Sequence, residues 1–122
     1  MKANIIAIDD DEDILEIIRL GMGFKGYAVR VSSNATNLID MIRDTMPDII
    51  LLDIRMKGLD GSNICTLLKN NFTTAHLPII ILSANDNISE TCKNCGADRY
   101  LSKPFDLAEL DNVVQQLLSP AA

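Results

Sequence analysis

Five residues of this 122-residue chain could do chemistry together: Asp9, Asp10, Asp53, Ser83 and Lys103. Asp53 ends a run of four apolar residues, Ile49 to Leu52, and Arg55, Lys57 and two glycines follow it. Burying an unpaired carboxylate is expensive, so an acid in that place is a candidate for more than surface charge. Three carboxylates brought together repel. Two like charges about 4 Å apart cost on the order of 4 kcal/mol at an effective dielectric of about 20. Lys103 can neutralise one of them. A hard divalent cation can neutralise two more, and Mg²⁺ suits all-oxygen sites, where it takes one or two carboxylates plus a phosphate oxygen. A carboxylate held beside a lysine and a metal is a ready acceptor for phosphoryl transfer, in which the protein mostly positions groups and neutralises charge. In that chemistry Asp53 attacks in line, Lys103 and the cation hold the phosphoryl oxygens, and Ser83 donates a hydrogen bond.

These residues meet only if the chain folds to bring them to one edge. Apolar runs bounded by turn signals predict five strands: Asn4 to Ile8, Tyr27 to Val31, Asp48 to Asp53, Pro78 to Ser83 and Arg99 to Ser102. Five helical stretches alternate with them. Ile14, Ile17, Ile18 and Met22 recur at helical spacing, and Gly26 marks a stop. Ser32, Ser33 and Asn34 offer N-cap chemistry to a second helix with Leu38, Ile39, Met41 and Ile42 inward. Gly58 to Gly61 reads as a turn, and Ile64, Leu67 and Leu68 give a third helix its apolar face. Ser89 to Cys95 is a short fourth helix. Asp106 and Glu109 resemble a capping box that opens a fifth, with Leu110, Val113, Val114 and Leu117 inward. Alternating strands and helices with short connections predict a parallel sheet covered on both faces. All strands then point one way, and open sheets of this kind bind ligands at the carboxyl ends of their strands. Asp9 and Asp10, Asp53, Ser83 and Lys103 each follow or end one of these strands.

Composition sets the outer limits. A chain of this length is one domain by the usual prior. Hydrophobic residues at 48% and charged residues at 23% suit an ordinary globular protein. The net charge of −6 argues against binding nucleic acid through a basic surface. No apolar run approaches the ~18 residues needed to span a membrane, and the N-terminus does not read as a signal peptide. Three cysteines, an odd number without a secretory signal, suggest free thiols and a cytoplasmic setting.

Ile-Asp-Asp at 8–10, Leu-Leu-Asp-Ile-Arg-Met at 51–56, Leu-Ser-Ala at 82–84 and Tyr-Leu-Ser-Lys-Pro-Phe at 100–105 resemble the receiver domain of two-component response regulators. The resemblance covers nearly the whole chain, in order. It implies a single flavodoxin-like (βα)5 domain over residues 1–122, with strand order 2-1-3-4-5 and no effector domain. It implies that Asp53 is the phosphoacceptor, fed by a histidine kinase or a histidine phosphotransfer protein. It implies Mg²⁺ on Asp10, Asp53 and the backbone carbonyl of Arg55, with Asp9 acting through water. Lys103 would pair with the phosphoryl group, Ser83 would move toward it, and Tyr100 would swing inward behind Ser83. The Lys103–Pro104 bond is expected to be cis. The downstream target would dock on the surface from Ser89 to Leu118. Two places carry departures or family-specific tuning. Lys57 stands where the family usually has Pro, which would leave the loop after Asp53 looser and more positive. Arg55 and Asn85 stand where the family tunes the lifetime of the phosphoryl group.

Other readings compete. A phosphohydrolase with an Asp nucleophile needs a second acid two residues on, and Arg55 cannot serve as a general acid there. A degenerate receiver would lack an acid, the hydroxyl or the lysine, and none is missing. Cys92 and Cys95 have the spacing of a redox or zinc pair but no second pair, so they read as small apolar packers on a helix.

Overall fold

The computed structural model describes residues 3–56 and 59–119. Five strands form one parallel sheet: β1 (Asn4–Ile8), β2 (Ala28–Ser32), β3 (Ile49–Asp53), β6 (Ile79–Ser83) and β7 (Arg99–Ser102). Their order is β2-β1-β3-β6-β7, which is 2-1-3-4-5 when the sheet's strands alone are counted. A two-residue pair, β4 (Arg55–Met56) against β5 (Leu59–Asp60), makes a small antiparallel hairpin after β3. The helices are α1 (Glu12–Phe24), α2 (Leu38–Thr45), α3 (Gly61–Asn70), α4 (Ile88–Cys95) and α5 (Leu107–Leu118). This is the flavodoxin-like arrangement.

The central strands are apolar throughout because both of their faces are covered. Alternate side chains divide between two cores. Ile6, Ile8, Ile50, Leu52, Ile79 and Ile81 pack with Leu38 of α2, Cys65 and Leu68 of α3 and Ile88 of α4. Ile5, Ala7, Ile49, Leu51, Ile80 and Leu82 pack with Leu15, Ile18 and Met22 of α1 and with Leu110, Val113 and Val114 of α5. Burying each such side chain contributes about 1.5–3 kcal/mol, so the frame that fixes the strand ends is stiff.

Three helix faces differ from the periodicity. Ile17, Ile39 and Leu67 are exposed by 58%, 52% and 70%. Leu15 takes the inward place on α1 and Cys65 on α3. An apolar stripe wider than the contact it serves leaves its edge in solvent, and the sequence does not show which edge. The N-cap chemistry of residues 32–34 also lands elsewhere. Ser32 ends β2, its Oγ donates to Asn34 O, and Asn34 Oδ1 accepts from Thr36 N–H, so these side chains build the turn before α2. The cap position is Asn37, whose side chain makes no cap bond. Of the turn expected over 58–61, Leu59 and Asp60 instead form β5 and Gly61 is already the first residue of α3. Three strands start one residue later than expected, at Ala28, Ile49 and Ile79, and Asp48 instead accepts from Asn4 N–H through Oδ2. The capping box of α5 is present, with Asp106 accepting from Glu109 N–H and Glu109 from Asp106 N–H. Lys57 and Gly58, and with them the expected effect of Lys57 on the loop, lie outside the described residues, as do the last three of the chain.

Candidate functional site at the carboxyl edge of the sheet

Asp9, Asp53, Ser83 and Lys103 each sit where a strand of the parallel sheet runs out. Asp9 follows β1 and is fully buried, and its Oδ1 accepts from Asp11 N–H at 2.9 Å. That bond bends the chain away from the sheet and into α1, whose first turn is capped by Asp11. Asp10 is exposed. Asp53 is the last residue of β3 and is buried. Ligand oxygens of Asp9, Asp10 and Asp53 all lie within 4.8 Å of one another. Lys103 follows β7, and its backbone N–H donates to Ser83 O, which aligns it with the end of β6. Its ammonium bridges the acids, 2.8 Å from Asp9 Oδ2 and 3.3 Å from Asp53 Oδ1. The Lys103–Pro104 bond is cis.

The remaining residues stand around this group. Ser83 is buried at the end of β6, where its Oγ accepts from Asn85 N–H at 3.0 Å. Arg55 N–H donates to Asp53 Oδ1 at 3.4 Å, so the loop after β3 folds back on the acid. With its amide oxygen turned to Arg55, Asn85 accepts from both Nε and Nη2 at 3.0 Å. This side-chain bridge joins the loops after β3 and β6. Sequence reasoning named both residues but not their contact, which spans thirty positions without a local signal. Tyr100 is 40% exposed on β7.

Electrostatics follow from the burial. Asp53 is raised from 3.8 to about 6, first by burial and then by the charge of Asp9, while Lys103 and the Arg55 N–H pull it back. For Lys103, burial works to lower the pKa. The hydrogen bond and charge of Asp9, with the charge of Asp53, outweigh it and hold the ammonium above its ordinary value. The Lys103 ammonium is thus shared between two of the three converging carboxylates. Asp9 Oδ2 lies 2.8 Å from Lys103 Nζ, so the ammonium answers this buried charge directly. An all-oxygen set of three carboxylates with ligand oxygens this close fits a hard divalent cation.

An apolar hollow of about 370 Å³ borders Lys103, between α1 and the loop after β7, with Ile14, Ile17 and Phe105 among its lining. The three thiols are buried behind the other face. Cys65 Sγ donates to Cys95 O, Cys92 Sγ to Ala97 O and Cys95 Sγ to Cys92 O. They pack rather than form a site, and the acids are the one group among the described residues with metal-binding spacing.

Fold and site together define an α/β signalling domain built around an acidic pocket. The profile described as Response regulator receiver domain matches residues 5–115. The chain therefore belongs to the receiver-domain family of two-component response regulators, as a signalling module and not an enzyme that turns over a separate substrate. Over 112 residues it is 39% identical to Response regulator MprA of Mycobacterium tuberculosis, which covers 90% of this chain and 48% of that protein. The chain thus spans about half the length of the curated relatives it matches. A two-component response regulator from Clostridium difficile superposes with a TM-score of 0.85 at 28% identity, over 96% of each chain. The receiver domain of NtrX from Brucella abortus does so with a TM-score of 0.85 at 28% identity, over 96% of this chain and 99% of that one. Among the described residues no helix is long and apolar enough to cross a membrane.

Proposed function

We propose that Asp53 accepts a phosphoryl group from a phosphohistidine of a histidine kinase or a histidine phosphotransfer protein, and that the phosphorylated domain signals by docking to a partner. The observation that carries this is the Lys103 bridge between Asp9 and Asp53 on the edge where the three carboxylates converge. Asp53 Oδ1 is held by the Lys103 ammonium and the Arg55 N–H, so the attack falls to Oδ2. A P–O bond forms there as the P–N bond of the donor breaks, and the imidazole leaves. Asp9, Asp10, Asp53 and the Arg55 carbonyl would hold Mg²⁺. The ion supplies positive charge to the phosphoryl oxygens as charge builds on them.

After transfer Lys103 pairs with the new phosphoryl group and Ser83 Oγ turns from Asn85 N–H to donate to it. The space Ser83 leaves admits Tyr100, now half-exposed on β7. That carries the change to the face formed by α4, β7 and α5, from Ser89 to Leu118, where the downstream protein docks. The test is intact mass after incubation with Mg²⁺ and acetyl phosphate, beside Asp53→Asn. One added phosphoryl group that needs both Asp53 and Mg²⁺ supports the reading. No adduct on the wild type, with no response to a beryllofluoride mimic, overturns it.

A further inference from the structure

We infer that Gly61 is a positioning residue for the acidic site, because it lets α3 start against the backbone that carries Asp53 and Arg55. This rests on the reading of Asp53 as the phosphoacceptor. Gly61 is buried as the first residue of α3. A Cβ placed on it would stand 2.0 Å from Asp53 O, 2.9 Å from Asp53 C and 2.9 Å from Ile54 Cα. All three are backbone atoms, so none can rotate away. The φ of Gly61 lies outside the left-handed region, so alanine is excluded by space and not by backbone strain.

The contact has a defined partner on each side. Ile54 N–H donates to Leu82 O at 3.0 Å, which ties residue 54 to β6. Gly61 N–H donates to Ile54 O at 2.8 Å, which ties it to α3. Residue 54 is thus gripped between the sheet and a helix start, with Asp53 before it and Arg55 after it. The Arg55 N–H in turn holds Asp53 Oδ1. A methyl group at position 61 must push the 53–55 segment off this grip, and the carboxylate and the Arg55 carbonyl move with it. Asp60 fixes the other side, since its side chain accepts from Ser62 N–H and Ser62 Oγ and so anchors the start of α3.

The test compares wild type, Gly61→Ala and Val113→Ala, the last a core truncation under α5 that loses stability away from the loop. Mg²⁺ affinity is read by calorimetric titration and fold by circular dichroism. A folded Gly61→Ala should bind Mg²⁺ at least ten-fold more weakly and take up phosphoryl from acetyl phosphate at least ten-fold more slowly. Val113→Ala should stay within two-fold of wild type. A second readout needs no variant: exchange of the Gly61 amide hydrogen in wild type should slow when Mg²⁺ is added. A folded Gly61→Ala with wild-type affinity overturns the inference alone. If that variant does not fold, the amide decides, and exchange indifferent to Mg²⁺ overturns it. A wild type that takes neither Mg²⁺ nor phosphoryl overturns the site reading and this inference with it.

Discussion

Lys103 and Asp9 stand 2.8 Å apart, a closer pair than Lys103 makes with Asp53 at 3.3 Å. The lysine is therefore anchored on one acid while it reaches toward the other. Removing it strands a fully buried carboxylate. Lys103→Ala should lose about 3–5 kcal/mol in chelator, the range for breaking a buried pair. Added Mg²⁺ should restore more stability to the variant than to wild type. The folded pKa of Lys103 is raised, so its contribution is complete below the ordinary lysine value and fades as pH rises through the raised one. Urea unfolding with and without Mg²⁺ checks both statements. Equal Mg²⁺ gains in the two proteins would sink the idea.

Asp53 makes the opposite contribution at neutral pH. Its raised pKa means that the folded protein favours the protonated acid. The associated stability is complete below about pH 3.8 and is lost as pH rises through about 6. The shift bounds the effect near 3 kcal/mol, and solvent at the open edge discounts it to about 1–2 kcal/mol. Asp53→Asn should therefore be the more stable protein at pH 7.5 in chelator, and the two should converge near pH 4. A difference independent of pH would show that the burial of charge is not its source.

Arg55 and Asn85 close one side of the pocket with a double hydrogen bond between loops. Asn85→Ala frees the guanidinium and opens a path for water to the acyl phosphate. The phosphoryl group on Asp53 should then decay at least three-fold faster, followed by mass after the donor is removed. Asn85 is half-buried and its loop is held by the backbone bond to Ser83 Oγ, which the substitution leaves in place, so stability should change by less than ~1 kcal/mol. An unchanged lifetime would leave the bridge with a packing role only.

The cysteines should be silent in the native protein. Cys65, Cys92 and Cys95 are buried, and burial pushes the thiols of Cys65 and Cys92 up, away from the reactive thiolate. A thiol reagent at neutral pH should label none of them until denaturant is added, and then all three. Rapid labelling of any one in the folded state would contradict the packing described.

Tyr27 and Asp111 join distant parts of the chain through a 2.7 Å hydrogen bond. Burial and the Asp111 carboxylate push the phenol up to about 12. The bond should hold below pH 10 and fail as pH rises through about 12. Tyr27→Phe should cost about 1.5–3 kcal/mol, as for a bond to a charged group, measured by urea unfolding at pH 7.

Much of this was legible in the residues. The strand ends declared themselves because short Ile and Leu runs stop at polar residues, as at Ile8 before Asp9 and Leu52 before Asp53. The capping box at Asp106 is local and was readable for the same reason. The outward edge of each helix was not. Leu15 and Ile17 are both apolar, and only the packing of α1 against the sheet decides that Leu15 goes in. The Arg55–Asn85 bridge and the crowding at Gly61 were equally hidden, because each depends on two segments meeting in space.

The position of β1 between β2 and β3 separates the origins of the acids from that of their lysine. β1 pairs with residues 28–32 on one side and with 49–53 on the other, so Asp9 and Asp53 are set side by side by two neighbouring interior strands. Lys103 follows β7, the edge strand two places beyond β3, and reaches back across the end of β6 to meet them. The spacing of the acids and the reach of their counter-charge are thus fixed by different parts of the sheet, and a shift of the edge strand alone would uncouple the two.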